Sequence, residues 1–108
     1  MKRVNYLLAA TLAMTALAAM AADSTKGTGW ISDSMCAGKH AGAGANAACV
    51  KKCIAGGEKP VFVDSKNTVW AIDNPDAVKD FYGAKVKVNM TANASAKSVH
   101  ISSVAAAQ

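Results

Sequence analysis

Arginine is almost missing from this chain: Arg3 is the one example, and glutamate is equally scarce, with Glu58 alone. Each shortage removes a class of function. Arginine is the side chain best shaped for bidentate contact with phosphates and guanine edges, so a nucleic-acid partner is not expected. With one glutamate and dispersed aspartates the sequence offers no close carboxylate pair. It also has no nucleophile–base pair and no glycine-rich phosphate loop, so no enzymatic reaction is expected. No C-x-x-C motif opens a helix, which argues against a redox-active dithiol. Covalent haem is set aside because Cys53 is followed by Ile54 rather than histidine.

Long hydrophobic runs are also rare, and the single one lies at the start. Met1-Lys2-Arg3 is basic, Tyr6–Ala22 carries no charge, and Ala19-Met20-Ala21 has the small-x-small form that signal peptidase accepts. Residues 1–21 therefore read as a signal peptide cleaved near Ala21, leaving 22–108 as one small domain in the periplasm or outside the cell. The rival reading is a retained anchor. The run is close to the lower limit of about 17 residues for a membrane span, but it is alanine-rich and ends in a cleavage motif. No cysteine follows it to take a lipid, and no membrane association is expected after cleavage. Removal of Lys2 and Arg3 leaves ten lysines against six aspartates and one glutamate, a net charge of +3 instead of +5. Scattered lysines of that number read as a solvated surface.

What remains is rich in short β patterns. A polar lead over Asp23–Gly29 precedes a first strand at Thr28–Ser34. Met35–Ala45 is too rich in glycine for a regular element, and Asn46 caps a short helix running to about Ala55, stopped by Gly56-Gly57. Pro60–Asp64 and Thr68–Asp73 form a hairpin. Asn74 and Pro75 open a second helix with Ala77, Val78, Phe81 and Tyr82 as its buried stripe. Lys85–Thr91 alternates polar and apolar and pairs with Ser98–Ser102. The fold class is mainly β with two short helices, a small five-stranded OB-like barrel; the alternative is an open α+β sandwich.

Chemistry concentrates in one stretch. Cys36, His40, Cys49 and Cys53 are spaced C-x3-H-x8-C-x3-C. Cys49 and Cys53 share a helical face, and the glycine-rich loop can fold Cys36 and His40 over them, which suits a tetrahedral zinc or copper(I) site. The competing reading is a disulfide clasp joining Cys36 to Cys49 or Cys53, since exported thiols usually pair. It leaves one cysteine over, free or bridging a dimer. Asp33 and Ser34 read first as turn and capping residues, and as outer-shell groups to a metal second. His100 sits at an exposed strand position with no acidic partner placed by sequence. Trp30 and Trp70 are weaker candidates for binding a small ligand or a protein of the cell envelope on a barrel face.

Gly29-Trp30-Ile31-Ser32-Asp33-Ser34-Met35-Cys36, Ala48-Cys49-Val50-Lys51-Lys52-Cys53 and Ile72-Asp73-Asn74-Pro75-Asp76-Ala77 together resemble a group of small exported bacterial domains of uncharacterised function. The resemblance spans nearly all of the chain after the signal. It implies a periplasmic or secreted location and is compatible with an OB-like barrel, and it carries no activity and no catalytic residue. The sequence thus points to a small exported, non-enzymatic domain with a Cys/His-rich clasp or metal site. The alternative is an envelope-binding module.

Overall fold

The computed structural model describes residues 24–107, so the expected signal peptide lies outside the described residues. Five strands close into a barrel: β1 (Ser24–Asp33), β2 (Pro60–Asp64), β3 (Val69–Ile72), β4 (Lys85–Asn93) and β5 (Ser98–Ala106). Their order around the barrel is β1-β2-β3-β5-β4, with β4 pairing back to β1. All neighbours run antiparallel except β3 and β5, which are parallel. This is the small five-stranded barrel expected, and closure rules out the open sandwich.

Alternation along the strands fills the barrel. Ile31, Phe62, Ile72, Val86, Val88, Met90, Val99 and Ile101 form the core, and Val78 from the segment after β3 joins them. Ala77, Phe81 and Tyr82 pack against the same cluster, as the expected stripe requires. Burying each large side chain contributes about 1.5–3 kcal/mol. β2 is buried along most of its length because both its faces are covered. Phe62 points into the barrel, while Val61 and Val63 form a second cluster with Ala41 on the outer face, against which Trp30 packs.

Several boundaries differ from the sequence expectation. The polar lead is itself strand: β1 begins at Ser24, which pairs with Thr91. Ser24–Gly27 pairs along the β4 ladder without a large apolar side chain of its own, so no apolar alternation marks it. The other two long strands also run further, β4 to Asn93 and β5 to Ala106. The loop after Cys36 is not without regular structure, since it makes two 3-10 turns, Ala37–His40 and Gly42–Gly44. The second helix, Pro75–Phe81, is 3-10 rather than α. Seven residues bounded by Pro75 and by Gly83 at φ +82 leave little room for i→i+4 bonding. Asn74 does not cap it. Its amide instead lies against β5, donating to the Ile101 carbonyl at 2.7 Å and accepting from the Ile101 N–H at 2.9 Å.

The helix α1 (Ala47–Ala55) behaves as expected. The Asn46 side chain accepts from the Cys49 N–H at 3.0 Å, and Gly57 at φ +115 turns the chain out. At Gly83 the barrel meets the start of α1: a Cβ there would stand 2.3 Å from Ala47 Cα, whereas one on Gly57 would meet nothing. Both glycines carry left-handed backbone strain for an L-residue, but Gly83 alone adds a backbone clash. Gly57→Ala is therefore expected to cost about 1–2 kcal/mol, and Gly83→Ala about 3 kcal/mol or more. Urea denaturation of the two variants side by side checks this. Equal losses would show that α1 does not dock through Gly83.

Candidate metal centre

The chain leaves the barrel after β1 and returns at β2, and every candidate ligand lies on or beside that excursion. Its ends are pinned together. The Ser34 N–H donates to the Lys59 carbonyl at 2.8 Å, the Lys59 N–H donates to Ser34 Oγ at 3.0 Å, and Ser34 Oγ donates to Glu58 Oε1 at 2.7 Å. The lone glutamate is thus part of a latch. Ser32, fully buried, donates its hydroxyl to the Ala37 carbonyl at 2.7 Å and fixes the first 3-10 turn.

Asp33 is the last residue of β1 and shares the inward parity of Gly29 and Ile31. Its side chain is 0% exposed. A carboxylate at such a position needs partners, and it has them. Oδ2 accepts from the backbone N–H groups of Met35 (3.1 Å) and Cys36 (3.0 Å), and Oδ1 lies 3.1 Å from His40 Nδ1. Burial by itself raises the carboxyl pKa. The Cys36 N–H, His40 and the Met35 N–H outweigh it and hold Asp33 below the ordinary value of 3.8, hence ionised.

One ligand atom each from Asp33, Cys36 and His40 lie within 4.8 Å of one another. Two of the four residues singled out by spacing, Cys36 and His40, are therefore brought together, and Asp33 completes the group. By sequence Asp33 reads first as a turn residue; its inward parity next to Ile31 is the signal that marks it as more. With its Nδ1–H donating to Asp33 Oδ1, His40 presents the Nε2 lone pair, the arrangement by which a carboxylate orients a metal-ligating imidazole.

Cys49 and Cys53 stand on α1 beside this group rather than within its 4.8 Å radius. Cys53 lies near Asp33, Cys49 and Cys36. Burial pushes its thiol up to about 11, and Asp33, Cys49 and Cys36 add to the rise. All three cysteines are half-buried free thiols, so the disulfide clasp between Cys36 and Cys49 or Cys53 is not formed in this structure.

The remaining candidates lie elsewhere. Trp30 is half-buried, with Lys85 Nζ 5.5 Å from its ring centroid. Trp70 packs on the barrel core, donates its indole N–H to Asp64 Oδ2 at 3.1 Å, and has Lys97 Nζ 5.3 Å from its ring. Each indole thus already stacks with a lysine of its own chain. His100 is exposed as expected, but it does have an acidic partner: Asp73 Oδ1 is 2.7 Å from its Nδ1. The parallel pairing of Ile72 with Val99 sets those two residues side by side, a long-range juxtaposition that no local spacing reveals. No protein-family model, no curated protein and no solved structure matches this chain.

Trp70 also reports on charge. Burial raises the Asp64 pKa, but the Trp70 indole and the N–H groups of Thr68 and Lys66 bring it below the ordinary 3.8. A carboxyl depressed on folding contributes stability that is present above its unfolded pKa and lost as pH falls through the folded value. The urea midpoint of the protein, followed by tryptophan fluorescence, is therefore expected to fall as pH drops below about 4. Asp64→Asn is expected to flatten that part of the profile. An unchanged slope would show that Asp64 does not contribute.

Proposed function

We propose that this is a small exported, non-enzymatic domain that holds one soft metal ion, zinc or copper(I), in the excursion between β1 and β2. The observation that carries the reading is the Asp33–Cys36–His40 group, with ligand atoms mutually within 4.8 Å. Cys36 Sγ and His40 Nε2 would bind the ion, and Cys53 and Cys49, which stand outside the 4.8 Å group, would complete a tetrahedral set by α1 moving toward the ion on binding. Asp33 serves by orienting His40 through its ring N–H and the Cys36 backbone through its amide. Thiolate and imidazole donors suit zinc and copper(I) and disfavour calcium and magnesium.

Export rests on the basic start, the uncharged run and the small-x-small motif of residues 1–21. Among the described residues no helix is long and apolar enough to cross a membrane. In an oxidising compartment the ion would protect thiols that otherwise pair, so metal loading and a disulfide between Cys36 and one α1 cysteine are mutually exclusive outcomes.

Alkylation followed by intact mass, with and without chelator, separates them. The expected result is one bound ion per chain and thiols that react only after chelation. Cys36→Ser and His40→Ala are each expected to weaken binding at least about tenfold, or about 1.4 kcal/mol. Asp33→Asn is expected to weaken it about 10–100-fold. One reactive thiol, two thiols masked until reduction and no bound ion would overturn the proposal in favour of the clasp.

A further inference from the structure

A second region of the barrel combines a hollow with unmatched charge. It is a cleft of about 570 Å³ between β1, β4, β5 and the β2–β3 turn, lined by Lys26, Thr28, Ser65, Lys87, Asn89 and Ser103 among others, with no carboxylate in its lining. Pocket volumes of this order are ordinary for small-molecule sites.

The register explains how these groups converge. Lys26 pairs with Asn89, Thr28 with Lys87, and Asn89 with Ser103. Residues paired across antiparallel strands share a face, as do residues two apart. All five therefore stand on the outer face of the sheet formed by β1, β4 and β5, opposite the core-facing Val86, Val88 and Met90. Lys26 and Lys87 are diagonal neighbours, about 7–8 Å apart at Cα, so their long side chains can close on one anion. Among the described residues the ion pairs are His40–Asp33 and His100–Asp73, and neither lysine takes part in one.

The strand is also bent at this point. The β4–β5 register shifts between Asn89 and Met90, and the unpaired Ser102 donates to the Asn89 carbonyl at 3.0 Å. Such bulges re-aim side chains beside binding sites. Here the bulge leaves Asn89 Nδ2 donating to Ser103 Oγ at 2.8 Å, so the amide oxygen of Asn89 and the hydroxyl proton of Ser103 are left for a ligand.

We infer that this cleft binds a sugar bearing a compact oxyanion, a phosphate or a carboxylate. Lys26 and Lys87 take the anionic group, while Thr28, Asn89, Ser103 and Ser65 meet the hydroxyls. Two like charges held on one face with no acid between them favour an anion, while hydroxyls and an amide set beside Val88, Val104 and Ala105 suit a sugar, which presents hydroxyls at its rim and an apolar C–H face. The inference is independent of the metal site, which lies on the other strand end of β1.

The test is a titration of isotope-labelled protein, followed by backbone amide shifts, with glucose 6-phosphate, glucuronate, inorganic phosphate and glucose as probes. Glucose 6-phosphate or glucuronate is expected to bind at least about tenfold tighter than glucose and to shift the amides of Lys26, Thr28, Lys87, Asn89 and Ser103. The phosphate arm alone, the carboxylate arm alone, or both support the inference and name the source of the charge. Lys26→Gln and Lys87→Gln should each weaken binding about fivefold or more, while Lys51→Gln on the exposed side of α1 should leave it unchanged. Cys36→Ser should also bind normally, which separates failure here from failure of the metal reading. Charged sugars that bind no better than glucose, or a loss as large in Lys51→Gln, would overturn it.

Discussion

The carboxylate of Asp33 is the constraint on which the rest of the excursion depends. It is a charge placed at a core position of β1, and an ionised carboxylate in that position is stable only if its surroundings neutralise it. The chain does so with three donors from the seven residues that follow: two backbone N–H groups and an imidazole. Satisfying the charge therefore folds the loop. The Met35 and Cys36 amides must turn back toward β1, and that sets the first 3-10 turn, which brings His40 beside the carboxylate. A glycine-rich segment with little intrinsic preference takes up a defined path because a buried charge requires one. The Ser34–Glu58–Lys59 latch then closes the excursion at its base, and α1 is set against the barrel at Gly83.

The strand pattern was largely legible because alternation is a direct consequence of one-sided burial. Val86, Val88 and Met90 announce β4, and Val99 and Ile101 announce β5. The Asn46 cap, the extent of α1 and the Val78 stripe were equally plain. The parts that escaped have physical reasons. Ser24–Gly27 carries no large apolar side chain and no alternation, so nothing in its sequence marks it as strand. Gly29, at the junction of the polar lead and the expected strand, has a steric role that sequence does not show: a Cβ there would stand 2.1 Å from the Val63 carbonyl and 2.9 Å from the Phe62 ring. Asn74 looks like a helix cap because asparagine before proline usually is one. It pairs with β5 instead, because the short helix is 3-10 and the Ile101 backbone offers both a donor and an acceptor.

The site was half legible. Spacing drew attention to Cys36 and His40, since soft ligands clustered in a small domain stand out by composition. It could not show that Asp33 sits among them, because Asp-Ser before a loop is an ordinary turn sequence. Parity was the available clue: a residue two places after Ile31 on a strand faces the same way as Ile31. His100 illustrates the opposite limit. Its partner, Asp73, is 27 residues away in sequence and arrives through a parallel pairing that only the closed topology creates.

The distribution of charge in the folded chain follows one logic. The excursion gathers a carboxylate, an imidazole and three thiols; the carboxylate and the thiols repel one another once the thiols ionise, and a cation would reconcile them. The lysines of the excursion, Lys39, Lys51, Lys52 and Lys59, are all exposed, and Lys51 lies on the side of α1 away from Cys49 and Cys53. An ammonium group among the donors would compete with a metal for the same electron pairs. Two other lysines are drawn onto indole rings, Lys85 over Trp30 and Lys97 over Trp70, which shields the aromatic faces. Lys26 and Lys87 are left side by side on β1 and β4, facing polar neutral groups. Repulsion between Lys26 and Lys87 costs some stability, and in the excursion the same cost arises only once the thiols ionise. A ligand of opposite sign at each place is the arrangement that removes the cost.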